Sequence, residues 1–316
     1  FKQKTAYEIM PSLVGSEMCI RDRFLIIWVI KIQRALLVER STDYEVYKAT
    51  NTLANVSDIE LILKLHKLHK SCCDTVESLL KEGGWNVTRV PITQLSIYKT
   101  TEFDLLVSAG GDGTLLKVAQ IAREQLVLGI NTIERHDNYG SLGGLCTLRA
   151  SEVGKLEELI TGYYSVEEWE RLGARVNGTE LPYLALNEVA IGPKRFYGTV
   201  HINVEFLDVS EYFIGSGLIV ATARGSTAWF TSLTNGHRIH PKLKAYGIAA
   251  IDPFEKRLKY KWHSITVPAD TITKVTPLRP GVELVFDSLA YTTHKLAPND
   301  RVEVYVSSQP LRVVRV

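Results

Sequence analysis

The strongest constraint on this chain is the segment Asp104-Leu-Leu-Val-Ser-Ala-Gly-Gly-Asp-Gly-Thr114. Its apolar run Leu105–Val107 predicts a buried strand, and the following Leu115–Arg123 predicts a helix. Three glycines lie between the two: Gly110, Gly111 and Gly113. They indicate a turn that needs either positive φ or a very close approach of the backbone. Because strand, turn and helix start direct N–H groups and the helix dipole at one point, we predict a phosphate-binding turn.

Asp112 is unusual in such a turn, because a carboxylate repels phosphate. The residue makes chemical sense there if it takes a proton from a hydroxyl nucleophile. An aspartate at this position can equally cap the helix or stabilise a tight turn. The segment alone leaves both interpretations open. The same holds for Thr114, whose hydroxyl can contact a phosphate or a local backbone group.

The composition places the chain among globular enzymes. Its 316 residues suit two domains, and a net charge of +2 predicts neither a nucleic-acid partner nor binding to an anionic membrane. The apolar run Phe24–Ile30 is far shorter than the about 20 residues that a membrane span requires. Four cysteines without a C-x-x-C pair favour a reducing compartment and no structural metal. We therefore expect a cytoplasmic protein without a membrane partner.

The beginning of the chain differs from the rest. Residues 1–23 resemble a translated sequencing-adaptor peptide and match no element of a fold. We expect residues 1–30 to be an artefactual or disordered leader.

Two kinds of predicted elements follow one another. Up to about residue 133, strands alternate with helices, which predicts a parallel sheet in a Rossmann-like α/β domain. Its long helix opens with the capping box Ser57-Asp-Ile-Glu60 and ends at Gly83-Gly84. Ser151–Gly162 predicts one more helix, after which short strands dominate, with a hairpin turn at Val176-Asn-Gly-Thr179. We expect the active site in the crevice beyond the carboxyl end of the GGDG strand.

Two further motifs follow the GGDG turn. They are Leu186-Asn-Glu-Val-Ala-Ile-Gly192 and Gly215-Ser-Gly-Leu-Ile-Val-Ala-Thr-Ala-Arg-Gly-Ser-Thr-Ala-Trp229. GGDG alone also occurs in diacylglycerol and sphingosine kinases and in phosphofructokinase. The three motifs in this order resemble the NAD kinase family, whose members phosphorylate the adenosine ribose 2′-hydroxyl of NAD to give NADP. The resemblance covers residues 31–316.

The resemblance implies an architecture and a set of ligands. An α/β domain over residues 31–133 is followed by a β-sandwich-like, NAD-binding domain over 134–316, whose tail can pack back on the first domain. NAD is the implied substrate, ATP or polyphosphate the phosphoryl donor, and Mg²⁺ accompanies the nucleotide donor. A homo-oligomer is also implied. No G-x-x-x-x-G-K-[ST] loop occurs in the sequence, so this is not a P-loop enzyme.

The resemblance also assigns roles to individual residues. Asp112 matches the general base. Asn187 matches a residue that touches adenine or ribose, and Glu188 one that touches a hydroxyl; both are expected at the end of an apolar strand, Tyr183–Ile191. The other implied binding residues lie at the phosphates (Gly110, Gly111, Gly113, Thr114), at adenine and ribose (Thr227, Ala228, Trp229) or on the nicotinamide side (Ser232). Gly225 is expected to form the turn into a helix capped by Ser226.

Several positions depart from the family pattern. Ser216 replaces a ligand-contacting Asp, and Arg224 replaces a small, often hydroxyl-bearing residue. Arg224 can meet a phosphate bidentately or remain a solvated loop arginine. The turn 131–144 is longer than the usual one. His237 and His240 lie three residues apart without a third ligand nearby in the sequence, so no metal site is predicted.

Three functions are weighed. The first is an NAD kinase with Asp112 as its base. The second is a GGDG-type kinase acting on a lipid or sugar hydroxyl, against which the retained motifs Asn187-Glu188 and Thr227-Ala-Trp229 argue. The third is a catalytically weak NAD-binding or sensing protein, which Ser216 and Arg224 suggest and Asp112 opposes.

Overall fold

The structure, a computed structural model, describes residues 32–53, 58–135, 139–194, 198–255 and 260–316. Residues Gln33–Val316 form one compact unit. The predicted leader, residues 1–30, lies outside the described residues.

The described residues form five α-helices and nineteen strands. The helices are α1 (Asp43–Ala49), α2 (Ile59–Glu82), α3 (Asp112–Ile121), α4 (Leu156–Ile160) and α5 (Trp229–Leu233). The strands are β1 (Arg34–Glu39), β2 (Asn86–Pro91), β3 (Leu105–Gly110), β4 (Leu126–Asn131), β5 (Leu148–Arg149), β6 (Ser165–Trp169), β7 (Leu172–Val176), β8 (Thr179–Glu180), β9 (Glu188–Pro193), β10 (Val200–Phe206), β11 (Val209–Gly215), β12 (Gly217–Ala221), β13 (Ala245–Ile251), β14 (Ser264–Pro268), β15 (Thr273–Pro277), β16 (Val282–Phe286), β17 (His294–Leu296), β18 (Val302–Val306) and β19 (Leu311–Arg315).

The first sheet has the strand order β2-β1-β3-β4-β19-β6, with β5 also paired to β4. All of these pairs are parallel except β6 with β19. Every residue of β3 and β4 is buried, as expected for strands covered on both faces. The sheet thus takes β5, β6 and the last strand, β19, from beyond residue 133, where the sequence places the domain boundary. That boundary stays a prediction.

The other two sheets are antiparallel and have six strands each. Their orders are β11-β10-β15-β18-β7-β8 and β14-β13-β12-β9-β16-β17. Side chains from both, among them Phe206 and Phe213 of the first and Val220 and Phe286 of the second, share one core. This is the packing of a β-sandwich. The predicted fold class, a Rossmann-like α/β domain followed by a β-sandwich-like domain, is confirmed.

The long helix α2 ends where the sequence predicts but begins with a different cap. Gly83 is its C-cap, and Gly84 follows with φ +82°. Its N-cap is Asp58, whose side chain makes no capping hydrogen bond, and the predicted cap Ser57 lies outside the described residues. A complete capping box forms instead at Thr42, at the start of α1, a helix that the sequence analysis missed.

Two other local predictions differ in outcome. The hairpin turn is confirmed, since Asn177 and Gly178 join β7 and β8 with φ values of +51° and +82°. The helix predicted over Ser151–Gly162 is instead a 3₁₀ segment, Ala150–Lys155, followed by the short α4.

Candidate active site

The GGDG turn lies at a switch point of the first sheet. From β1 the chain moves outward to β2, whereas β3, on the other side of β1, is followed outward by β4. In open α/β sheets the crevice at such a point, beyond the carboxyl ends of the strands, receives ligands. The turn follows β3, and Arg40 follows β1, with its N–H donating to Ala109 O at 3.0 Å.

Two of the three glycines of the turn, Gly110 and Gly111, are required by close approach and not by backbone angle. None of the three has positive φ. A Cβ on Gly110 would lie 2.2 Å from Thr114 Oγ1, and one on Gly111 would lie 2.4 Å from Ser141 Cβ. Gly113 is exposed, and a Cβ there would meet nothing within 4 Å. The first two glycines therefore close the turn, and the third leaves room for a ligand.

Asp112 is the first residue of α3, and its carboxylate is held from outside the helix. Oδ1 accepts a hydrogen bond from Leu145 N at 2.8 Å, and Oδ2 accepts one from Gly144 N at 3.1 Å. Ser141 Oγ lies 3.4 Å from Oδ2. The half-buried carboxylate is therefore fixed in orientation by the lengthened loop that follows β4. Thr114 is buried, which supports a role inside the turn; its predicted phosphate contact stays a prediction.

Asn187 and Glu188 stand at the start of a strand, and not at the end of one as predicted. β9 begins at Glu188, because the N–H and C=O of Asn187 are taken by other partners. Asn187 N donates to Asp287 Oδ1 at 2.7 Å, and Asn187 O accepts from Thr222 N at 2.8 Å. The half-exposed side-chain amide of Asn187 makes no hydrogen bond among the described residues. It can therefore serve a ligand.

Glu188 is a buried carboxylate, with a relative exposure of 4%. Its Oε1 accepts a hydrogen bond from Ser288 Oγ at 3.2 Å, whereas Oε2 has no partner among the described residues. Burial, together with the neighbouring Asp287, raises the pKa of Glu188 to about 7. A buried oxygen without a donor is costly, and a ligand hydroxyl would satisfy it.

The segment 222–233 packs closely against the backbone of Asn187. A Cβ on Gly225 would lie 2.0 Å from Asn187 O, so glycine is needed for this approach. The prediction that Ser226 caps a helix was wrong. Ser226 Oγ donates to Ala223 O at 2.7 Å and accepts from Ile239 N at 2.8 Å, and α5 begins only at Trp229, with Ala228 as its N-cap.

The remaining predicted residues lie along the same segment. Thr227 and Ser232 are exposed, and Ala228 and Trp229 are half-buried. Thr227 Oγ1 donates to Arg224 O at 3.0 Å. Their contacts with a dinucleotide stay predictions.

Arg224 is engaged with the protein. Its guanidinium lies 3.7 Å from the centroid of the Trp169 ring and pairs with Glu167 at 2.9 Å. Arg315 pairs with the same carboxylate at 3.2 Å. Arg224, Glu167 and Trp169 border a cavity of about 360 Å³. A phosphate contact by Arg224 stays a prediction, and it would have to compete with Glu167.

Sequence reasoning missed three residues of this region: Arg40, Gln120 and Asp287. Arg40 stands beside Gly110, and a basic residue directly after the first strand was the available signal. Asp287 follows β16 and has φ +50°, an ordinary turn residue by sequence. Its carboxylate nevertheless binds Gln120 of α3 and the segment before β9.

Glu39, His69 and Cys73 place potential metal ligands within 4.8 Å of one another. The Glu39 carboxylate already pairs with Lys70 at 3.0 Å and with Arg89 at 2.6 Å. Two adjacent cations oppose the binding of a metal ion there.

Within the described part of the chain, no helix is long and apolar enough to cross a membrane.

Comparison with known proteins gives consistent matches. A family profile described as the ATP-NAD kinase C-terminal domain matches residues 186–316. The NAD kinase of Chlorobium luteolum is 30% identical over 243 residues, which cover 75% of this chain and 79% of the relative. The NAD kinase of Thermococcus gammatolerans is 29% identical over 220 residues, which cover 68% and 74%.

Solved structures share the fold. An NAD kinase from Archaeoglobus fulgidus in complex with ATP superposes with a TM-score of 0.63 at 22% identity, covering 89% of this chain and 93% of that one. A yeast NADH kinase complexed with NADH gives a TM-score of 0.67 at 14% identity, covering 91% and 84%. These structures show the shared fold, and the sequence relatives assign the chain: it belongs to the NAD kinase family and is a kinase.

Proposed function

We propose that this protein transfers the terminal phosphate of ATP to the adenosine 2′-hydroxyl of NAD, with Asp112 as the general base. The observation that carries the proposal is the Asp112 carboxylate, which two backbone N–H groups orient at the start of α3, at the switch point of the sheet. The Asn187 amide and Glu188 Oε2, which has no partner among the described residues, supply polar contacts for the dinucleotide.

The proposed mechanism depends mainly on positioning. In phosphoryl transfer, alignment and charge stabilisation supply most of the rate, and a well-placed base adds about 10²–10⁴-fold. Asp112 Oδ1 accepts one hydrogen bond from the protein, so it retains a lone pair for the 2′-hydroxyl proton. Gly113 leaves space for the phosphates beside it.

The donor and its metal belong to the same proposal. ATP is favoured because the Archaeoglobus relative binds it; polyphosphate is the alternative donor. Mg²⁺ would enter with the nucleotide, where one carboxylate and the phosphates are its usual ligands and it neutralises phosphate charge. In this proposal Asp112 acts as the base and not as a metal ligand, so the phosphates of the nucleotide would hold the ion. NADH is an alternative acceptor, since the yeast relative binds it. A cytoplasmic homo-oligomer is proposed from the family resemblance.

A catalytically weak NAD-binding protein is the second candidate. The ion pair of Arg224 with Glu167 favours it, because a guanidinium paired with a carboxylate is less available to a phosphate near the site. A single assay separates the candidates. The wild-type protein is incubated with NAD and magnesium ATP, and NADP is measured by an NADP-specific cycling reaction. Formation of NADP supports the kinase, whereas NAD binding without NADP supports the second candidate.

Asp112→Asn tests the base. Turnover is expected to fall by about two to four orders of magnitude, because the variant cannot take the hydroxyl proton, while NAD affinity changes less than about threefold. Asp208→Asn, at an exposed hairpin position, is the control and should keep full turnover. Turnover of Asp112→Asn within about threefold of the wild type would exclude the proposed role.

A further inference from the structure

Gln120 lies at the far end of the helix that begins with Asp112. Its side chain is 3% exposed. Nε2 donates to Leu184 O at 2.9 Å and to Asp287 Oδ2 at 3.0 Å, and Oε1 accepts from Leu184 N at 3.4 Å. Both N–H donors of the amide and one of its acceptor sites are therefore used. They bind Leu184, in the segment that leads into β9, and Asp287, which holds that segment.

Asp287 completes this connection. It is 3% exposed, and its carboxylate accepts hydrogen bonds from three successive backbone N–H groups as well as from Gln120. The three donors are Leu186 N at 3.0 Å, Asn187 N at 2.7 Å and Glu188 N at 3.3 Å. Asp287 N in turn donates to Glu188 O at 2.8 Å. Burial raises the pKa of Asp287 to about 6, and these donors limit the rise.

The helix between Asp112 and Gln120 is itself fixed. Arg171 is fully buried and donates to the carbonyl of Ala119, in the last turn of α3, at 3.0 Å and to that of Ala122, the C-cap of α3, at 3.1 Å. A cation at a helix C-terminus is favourable. Gln120 lies eight positions after Asp112, a rise of about 12 Å along a rigid helix. A shift of Gln120 is therefore transmitted to Asp112.

We propose that Gln120 and Asp287, which we call the Gln120–Asp287 pair, are positioning residues for phosphoryl transfer. The pair fixes the segment carrying Asn187 and Glu188 to the helix carrying Asp112, so that the 2′-hydroxyl of bound NAD meets the base. This inference rests on the proposed function. It adds that the alignment of the two substrate-binding parts depends on the buried hydrogen bonds that join Gln120 to Asp287 and to Leu184.

The chain offers a matched control for Gln120. Gln125 is also a buried glutamine near the end of α3, with 6% exposure. Its side chain accepts from Arg123 N at 2.8 Å and donates to Thr100 O at 3.1 Å, and neither partner belongs to the segment before β9. At similar volume, Gln120→Met removes three side-chain hydrogen bonds and Gln125→Met removes two.

Both methionine variants are expected to melt at a lower temperature than the wild type. Only Gln120→Met should lower kcat, by roughly 10- to 100-fold, because a displacement of about 1 Å in alignment has an effect of that size. It should also weaken NAD binding in a titration without donor, while the KM for ATP changes less than about twofold. Gln120→Lys, which keeps a donor for Asp287, should recover most of the lost kcat.

Several outcomes overturn the proposal. Equal kcat and NAD affinity in Gln120→Met and Gln125→Met would make Gln120 a structural residue only. If Gln120→Met fails to fold, Asp287→Asn tests the proposal instead, because this substitution turns one acceptor of the pair into a donor. Unchanged kcat and NAD affinity in Asp287→Asn would overturn the proposal. A wild-type protein that forms no NADP would instead refute the proposed function, so the two failures are distinguishable.

Discussion

Replacement of Glu188 by Gln is expected to make the protein more stable at alkaline pH. The carboxylate is 4% exposed, and one of its oxygens has no partner among the described residues. Its pKa is raised from 4.5 to about 7, so the folded state holds a proton that the unfolded state releases. The stability contributed by this proton is complete below pH 4.5 and is lost as the pH rises through about 7.

The size of the effect follows from the pKa. A rise from 4.5 to about 7 corresponds to about 3 kcal/mol between the two protonation states. The glutamine side chain of the variant is uncharged at every pH and occupies nearly the same volume. The free energies of unfolding of the two proteins should therefore agree within about 0.5 kcal/mol at pH 4 and differ by about 3 kcal/mol at pH 8, with Glu188→Gln the more stable.

Urea unfolding at pH 4, 5, 6, 7 and 8 measures this difference directly, provided the two proteins share one m-value. Asp287 also has a raised pKa, but it is present in both proteins, so its contribution largely cancels in the comparison. Glu283→Gln is the control, since Glu283 is a half-exposed carboxylate on β16, beside β9. Parallel stability curves for the wild type and Glu188→Gln, or a variant that is less stable at pH 8, would refute the reasoning.

Two further substitutions probe the dinucleotide segment. Gly225→Ala places a methyl group 2.0 Å from Asn187 O. We expect the free energy of unfolding in urea to fall by about 1–3 kcal/mol and NAD to bind more weakly. Gly154→Ala, where a Cβ meets nothing within 4 Å, is the control and should change neither quantity. Asn187→Ala should weaken NAD by roughly 5- to 150-fold in a binding titration, as a lost hydrogen bond in a largely buried site does, and leave the KM for ATP nearly unchanged. Its melting temperature should hardly move, since the side chain makes no hydrogen bond among the described residues, and a loss of stability alone would mark Asn187 as structural.

Local patterns in the sequence predicted much of the fold. The buried strand β3 and the glycine turn after it follow from the short apolar run Leu105–Val107 and three closely spaced glycines. The Asn177-Gly178 hairpin follows from backbone angles that only a few residue types adopt readily. These predictions succeed because the cause lies within a few residues of the effect.

The contacts that build the site have no such local cause. Ser226 was predicted as a helix cap, but Ile239, thirteen residues later in the chain, donates to its hydroxyl instead. Asp287 binds Asn187 across a separation of 100 residues, and Gln120 across 167. A single sequence carries no signal for such pairs, since each member taken alone is an ordinary polar residue.

Two strained positions of the chain lie beside the proposed site. Asp287 and Ser288 both adopt left-handed backbone angles, with φ +50° and +55°, which cost free energy in residues other than glycine. They lie against Glu188, the buried carboxylate with an unpartnered oxygen. The two left-handed residues and the buried Glu188 oxygen thus lie at one place. The Asn187 amide beside them has no protein partner among the described residues. Proteins retain such costs mainly where a ligand or a reaction requires them, which is consistent with the proposed binding of the dinucleotide at this place.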